Sequence, residues 1–169
     1  MMASARSPFA LRPFLLEDAP LLAEIFRESI AELAADDYSE TQQEAWASSA
    51  DDDEEFAQRL ARQLTLIATL NGSAVGFASL VKNDTIDMLY MHPAAAGQGG
   101  GTMLVDALEK LAAARGAKRL TADVSDAAQD FFTKRGFTAR QRNTIQIGGE
   151  WLANTTMEKQ LGKPVQGTT

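Results

Sequence analysis

The residues from Asp87 to Asp106, DMLYMHPAAAGQGGGTMLVD, constrain the fold more than any other stretch of the chain. They read as a strand, a glycine-rich loop and the start of a helix. Asp87–Met91 is short, rich in apolar residues and suited to an extended segment. His92-Pro93 ends it, because proline supplies no N–H and pushes the residue before it out of the helical region. Glycine then fills four of the five positions from 97 to 101, around Gln98, and helical spacing begins at Thr102. The first amides of a helix have no acceptor inside it, and the helix dipole adds positive potential there. A loop of glycines at that point can wrap a phosphate or pyrophosphate with backbone N–H groups alone.

The flanking sequence supplies alternating elements. Phe9–Phe14 reads as a strand. Asp18-Ala-Pro20 starts a helix with a capping aspartate and a first-turn proline, and apolar spacing carries it to about Ala35. Ser39 caps a short helix bearing Trp46, and the acidic run Asp51–Glu55 precedes a helix over Phe56–Gln63, where it favours the helix dipole rather than forming a cation site. Leu64–Leu70, an Asn71-Gly72 turn and Ala74–Val81 form a hairpin, and Asn83-Asp84 turns into Thr85–Met91. Beyond the glycine loop, Leu104, Leu108 and Leu111 make one helical stripe closed by Arg115-Gly116. A strand over Arg119–Val124, a short helix over Ala127–Arg135 and a terminal hairpin over Phe137–Glu158 follow, the last turning at Gly148-Gly149. This order predicts an α/β fold with a mixed sheet and helices on both faces, formed by a single domain over residues 9–161 with loose termini at 1–8 and 162–169.

With 169 residues, the chain is long enough for one well-cored domain. It has no cysteine and one histidine, His92, which excludes a disulfide framework, a thiolate nucleophile and a Cys- or multi-His metal site. Sixteen Lys plus Arg against 23 Asp plus Glu give a net charge of −7, which argues against nucleic acid as a partner; it is compatible with a cationic substrate such as an amine, and reads first as an acidic surface that keeps the protein soluble. No apolar run is long enough to span a bilayer, and Met1–Pro8 lacks the apolar core of a leader, so the expected compartment is the cytoplasm.

At this point the sequence resembles the GNAT superfamily of acyl-CoA-dependent N-acyltransferases. In that superfamily a fourth strand leads into a Q/R-x-x-G-x-G/A loop that binds the coenzyme A pyrophosphate through main-chain amides. The matching run is Ala96-Gly97-Gln98-Gly99-Gly100-Gly101: both glycines of the pattern are present, as Gly99 and Gly101, and Ala96 replaces the Gln or Arg. Ala128-x-x-Phe131-Phe132-x-Lys134-x-Gly136-Phe137 matches a second family pattern. A narrower similarity, to a bacterial subgroup of acetyltransferases with few assigned substrates, rests on Tyr38-Ser39-x-x-Gln42-x-x-Ala45-Trp46, Ile86–Tyr90 and Met157-Glu158-Lys159. The implied fold is a mostly antiparallel sheet of about seven strands between helices, and the implied activity is transfer of acetyl from acetyl-CoA to an amine, without a metal.

The resemblance also distributes roles. The pantetheine arm would pair with the main chain of Leu89, Tyr90 and Met91 like an added strand. The pyrophosphate would rest on Gly97, Gln98, Gly99, Gly100, Gly101 and Thr102, and Ser125 and Phe132 would also touch the coenzyme. Met91 would offer its amide to the thioester oxyanion, and Asp87 would take the amine's proton. By strand alternation Asp87 is expected on the same face as Leu89 and Met91. The family's usual tyrosine, which protonates the departing thiolate, is replaced by Phe132, so Tyr38, Tyr90 and Ser125 are the candidates for that proton. Tyr38 is the first choice for a role on the acceptor side. Trp46 and Asn154 are further candidates to contact the acceptor, Trp46 reading also as a core aromatic. His92 reads as a turn residue.

Two rival classes are an acyl-CoA binder without catalysis, and a nucleotide-binding loop. The second expects a lysine after the glycines, where Thr102-Met103 stand. The acceptor is not legible in the sequence, which leaves room for a homodimer without selecting one.

Overall fold

A computed structural model describes residues 8–162; the two terminal segments expected to be loose lie almost wholly outside that range. Seven strands form one sheet in the order β1-β2-β3-β4-β5-β7-β6. They are β1 (Phe9–Pro13), β2 (Leu64–Leu70), β3 (Ser73–Val81), β4 (Thr85–Met91), β5 (Arg119–Ser125), β6 (Thr138–Ile147) and β7 (Glu150–Gln160). Every neighbouring pair is antiparallel except β4 and β5. The helices are α1 (Ala19–Leu33), α2 (Glu40–Ala47), α3 (Asp53–Arg62), α4 (Gly100–Ala114) and α5 (Gln129–Lys134). The mixed, mostly antiparallel sheet is the one the sequence order predicts.

Two cores lie on opposite faces of the sheet. Leu104, Val105, Leu108 and Ala112 of α4 pack on Ala78, Leu80, Ile86 and Leu120. Leu22, Ile25, Phe26 and Ile30 of α1, with Phe56 and Leu60 of α3, pack on Ile67, Phe77 and Met88. The helix starts follow local chemistry. Ser39 accepts from the Gln42 N–H at 3.1 Å while Gln42 Oε1 accepts from the Ser39 N–H at 2.8 Å, a reciprocal capping box. Asp52 caps α3 through the Glu55 N–H, at 3.0 Å. Asp18 differs from its expected capping role. Its carboxylate takes Arg12 at 2.8 and 2.9 Å and the Leu15 N–H at 2.8 Å, closing the turn ahead of α1. The Arg12 hydrogen bonds hold the Asp18 carboxyl below the usual carboxylate range, against the opposing effect of burial.

The feature that makes a site is a fork. β4 and β5 pair only at Thr85–Thr121 and Ile86–Ala122. β5 then stays with β7 for the whole run from Arg119–Gln160 to Ser125–Asn154, while β4 stays with β3. The strands therefore part just where Asp87 and Asp123 stand. Asp87 is also the extra residue of a bulge: Leu80 pairs with Ile86, and Ser79 already pairs with Met88.

Candidate functional site

Past the fork, the main chain of Leu89–Met91 has β3 on one side and no strand on the other. The His92 N–H donates to the Val75 carbonyl at 2.7 Å, towards β3. Alternation along the strand therefore turns the Met91 and Leu89 N–H groups the other way, into the opening. That opening belongs to a cleft of about 580 Å³, walled by Leu89, Tyr90 and Met91 on one strand and by Ser125 at the end of the other and Ala128 beyond it. Gly97, Gly99, Gly101 and Thr102 of the loop line it too. Its charged lining residues are Lys134 and Arg135, both cationic.

The four loop glycines are needed for two different reasons. Gly97 (φ +77°) and Gly99 (φ +103°) adopt left-handed backbone conformations with open space around them, which side chains resist. Gly100 is buried instead: a Cβ there would collide with the Met91 side chain and lie 3.1 Å from Phe9. Gly101 meets Phe131 at 3.3 Å in the same way. α4 thus begins at Gly100, two residues before the apolar spacing starts, because small residues let its first turn settle onto the sheet. Its first internal bond is the Met103 N–H to the Gly99 carbonyl, at 3.1 Å. The amides of Gly100, Gly101 and Thr102 therefore lack helical acceptors. Of the six loop residues expected on the coenzyme, Gln98 and Gly100 do not line the cleft. Gln98 turns back to donate to the Ala94 carbonyl at 3.1 Å, and Gly100 belongs to the packing.

A second cleft, about 250 Å³, lies on the other side of the fork and shares Trp46, Leu89, Tyr90, Ser125 and Ala128 with the first. Tyr38, Trp46, Asp87 and Asn154, the expected acceptor-side residues, all line it. Its charged residues are Asp87 and Asp123. Phe132, expected against the coenzyme, lines this smaller cleft instead. It is buried between Phe131 and Phe137, with ring centroids 5.4 and 5.0 Å away.

The bulge changes the place of Asp87. It does not share a face with Leu89 and Met91, because the extra residue resets the alternation and turns it towards α3. Arg59 Nη2 and Nε reach its Oδ2 at 2.8 and 3.0 Å, and Gln63 Nε2 reaches the same oxygen at 2.8 Å. Oδ1 takes none of the three. Opposite, Asp123 Oδ1 accepts from Thr156 Oγ1 at 2.6 Å. Asn143 Nδ2 donates both to Thr156 Oγ1 and to Asn154 Oδ1, at 2.9 Å each, so Asn154 and Asp123 belong to one hydrogen-bonded chain. Sequence reasoning missed Asp123. Its signal was an acidic residue in β5 at the level of Asp87, visible only once the strand register is known.

The two tyrosines of the chain occupy different positions. Tyr38 donates its single proton to the Ala153 carbonyl at 2.6 Å and accepts from the Asp126 N–H at 2.9 Å. Burial pushes its phenol up, with the Asp126 N–H pulling the other way. It works as a strut between the α1–α2 connection, the end of β5 and β7, so its proton is not free for a substrate. Tyr90 stands at the junction of both clefts, edge-on to Phe26 at 4.7 Å and within 5.7 Å of Phe77 and 6.3 Å of Trp46. Burial pushes its phenol up to about 12, with the neighbouring Trp46 only partly offsetting it. His92 is a turn residue as expected: Nδ1 accepts from the Ala94 N–H at 3.0 Å, and Nε2 lies 3.0 Å from Glu28. Among the described residues no group of His and acidic side chains is arranged to hold a metal, and no helix is long and apolar enough to cross a membrane.

Residues 34–161 match the model of the acetyltransferase (GNAT) domain. A GCN5-related N-acetyltransferase of Rhodopseudomonas palustris is 63% identical, with a TM-score of 0.90 over 95% of this chain and 99% of that one. YafP of Escherichia coli K12, an uncharacterized N-acetyltransferase, is 29% identical over 87% of this chain and 93% of its own. The PaiA N-acetyltransferase of Thermoplasma acidophilum, solved with coenzyme A, shares the fold at 24% identity and a TM-score of 0.74, over 90% of this chain and 98% of its own.

Proposed function

From the premise that this chain belongs to the GNAT family and is an N-acetyltransferase, we propose that its larger cleft takes acetyl-CoA and its smaller one takes a primary amine of a small molecule or peptide. The acetyl group passes by direct attack where the clefts meet. The observation that carries this reading is the contrast of charge: cations and free helix amides line one cleft, carboxylates the other, and Leu89 and Tyr90 belong to both.

The coenzyme pyrophosphate is anionic and fits the amides around Gly97, Gly99, Gly101 and Thr102, with Lys134 and Arg135 beside them. Ala96 adds no side-chain donor, so the anion depends on backbone groups. The pantetheine arm has amide groups of its own, which suit the unpaired edge of Leu89–Met91. With the Met91 N–H turned into the opening, it is the donor for the oxygen that gains charge when the amine adds to the thioester carbonyl. On the other side, Asp87 and Asp123 attract an ammonium. An amine with a pKa near ~10.4 must lose a proton before it attacks, and Asp87 Oδ1 is the oxygen placed to receive it, directly or through water. The Arg59 and Gln63 bonds to Oδ2 fix the carboxylate while it does so.

Incubation of the protein with acetyl-CoA and a panel of primary amines, with release of free thiol followed over time, tests the reading. Amine-dependent, steady release is expected. Tight binding of acetyl-CoA with no release above background for any amine would contradict it and favour an acyl-CoA binder without catalysis.

A further inference from the structure

Acyl transfer leaves the coenzyme as a thiolate that needs a proton, and Phe132 has no hydroxyl to give one. We infer that the Tyr90 hydroxyl is the proton donor for the departing thiolate; this rests on the assignment of the larger cleft to acetyl-CoA. The reacting sulfur must sit where the clefts join, and the hydroxyl-bearing residues that line both are Tyr90 and Ser125. Tyr38 lines only the smaller cleft, and its proton is committed to the Ala153 carbonyl. Thr102 lines only the larger. Between the two that remain, a phenol is a far stronger acid than an aliphatic alcohol, and only Tyr90 is braced from several sides. Phe26, Phe77 and Trp46 hold its ring. With the phenol raised to about 12, Tyr90 carries its proton throughout the neutral range.

The step balances without another reagent. The amine nitrogen bonds to the carbonyl carbon, the C–S bond breaks, and sulfur takes the electron pair. The Tyr90 O–H gives its proton to that sulfur. The phenolate so formed is a strong base and takes back the proton that the nitrogen of the new amide gives up. The ammonium's extra proton has gone to Asp87, the proton lost after addition thus ends on the coenzyme thiol, and Tyr90 is restored.

The test needs no acceptor. Coenzyme A is bound to saturation and the ultraviolet absorbance of its thiolate is followed against pH for wild type, Tyr90→Phe and Ser125→Ala. A neutral donor aimed at the sulfur stabilises the thiolate, so the bound thiol of the wild type should titrate lower than that of Tyr90→Phe by about one pH unit, the size a hydrogen bond to a charged group gives. Ser125→Ala should titrate like wild type. Tyr90→Phe keeps the ring, and equal coenzyme affinity and melting temperature establish that the fold is intact. If they are not equal, the titration is read in Trp46→Ala, which removes one of the rings that hold Tyr90 in place and should raise the bound thiol in the same direction. Coinciding wild-type and Tyr90→Phe curves, or a shift in Ser125→Ala alone, would overturn the inference while leaving the coenzyme assignment standing. Failure of the wild type to bind coenzyme A would overturn both.

Discussion

The two clefts are built from the same fork and differ in nearly everything that decides what they bind. The larger is faced by main chain: an unpaired strand edge, two left-handed glycines and the start of α4, with Lys134 and Arg135 as its charges. The smaller is faced by side chains: Tyr38, Trp46, Asp87, Asp123 and Asn154, drawn from a connection, a helix and strands far apart in sequence. Backbone donors have one geometry and recognise a fixed, anionic group. Side chains set the local charge and shape, and can change without disturbing the fold. On the proposed assignment, this division of labour fixes the donor and leaves the acceptor to local side chains. It also explains why the donor can be read from a short motif and the acceptor cannot.

The sharpest way to break the contrast is Gly99→Glu. It forces a side chain onto a φ of +103° and places a carboxylate where a phosphate is expected. Coenzyme A affinity should fall by more than about 100-fold, roughly 3 kcal/mol, measured by calorimetry, while the strand core stays intact by circular dichroism. Unchanged affinity would remove the loop assignment. Asp87→Asn acts on the other cleft alone. It should lower turnover about 100-fold, the low end of what a general base contributes, most severely at low pH, and leave coenzyme affinity within twofold. A pH–rate profile that keeps its wild-type shape would remove Asp87 as the base and leave it an ammonium-binding group.

Tyr38→Phe should have the smallest effect on either ligand and a clear one on the fold. It leaves the Asp126 N–H and the Ala153 carbonyl without their partner, a loss of about 1–3 kcal/mol in denaturant unfolding. The tyrosines also make stability depend on alkali. Both phenols are raised in the folded chain and ordinary, near ~10, in the unfolded one. Above that pH the unfolded state holds fewer protons, so stability falls as pH rises from about 10 towards 12. The phenolate absorbance of the native protein should therefore lag behind that of the unfolded chain; coincident titrations would contradict the burial of both rings.

Most of the fold was legible because it is written in local signals. The strands and helices lie where alternation, capping and turn residues put them, as at Ser39, Asn71-Gly72 and Gly148-Gly149. The bulge at Asp87 was not, since a single extra residue leaves the apolar pattern almost unchanged and shows only against the partner strand. That one residue moved Asp87 to the other face and gave it Arg59. Asp123 was missed for the same kind of reason: it matters through its register with β4, which no local pattern encodes. The fate of a hydroxyl proton is equally non-local, and so Tyr38 looked available until the Ala153 carbonyl was found beside it. Gly100 looked like one more phosphate ligand because packing and binding both ask for a missing side chain.

Amide chemical shifts recorded while coenzyme A is added to the ¹⁵N-labelled protein test the central claim most directly. The account predicts that Gly97, Gly99, Gly101 and Thr102 shift strongly together with Leu89 and Met91, while Asp123 and Asn154 in the smaller cleft hardly move. Shifts centred on Asp123 and Asn154, with the glycine loop unmoved, would contradict it.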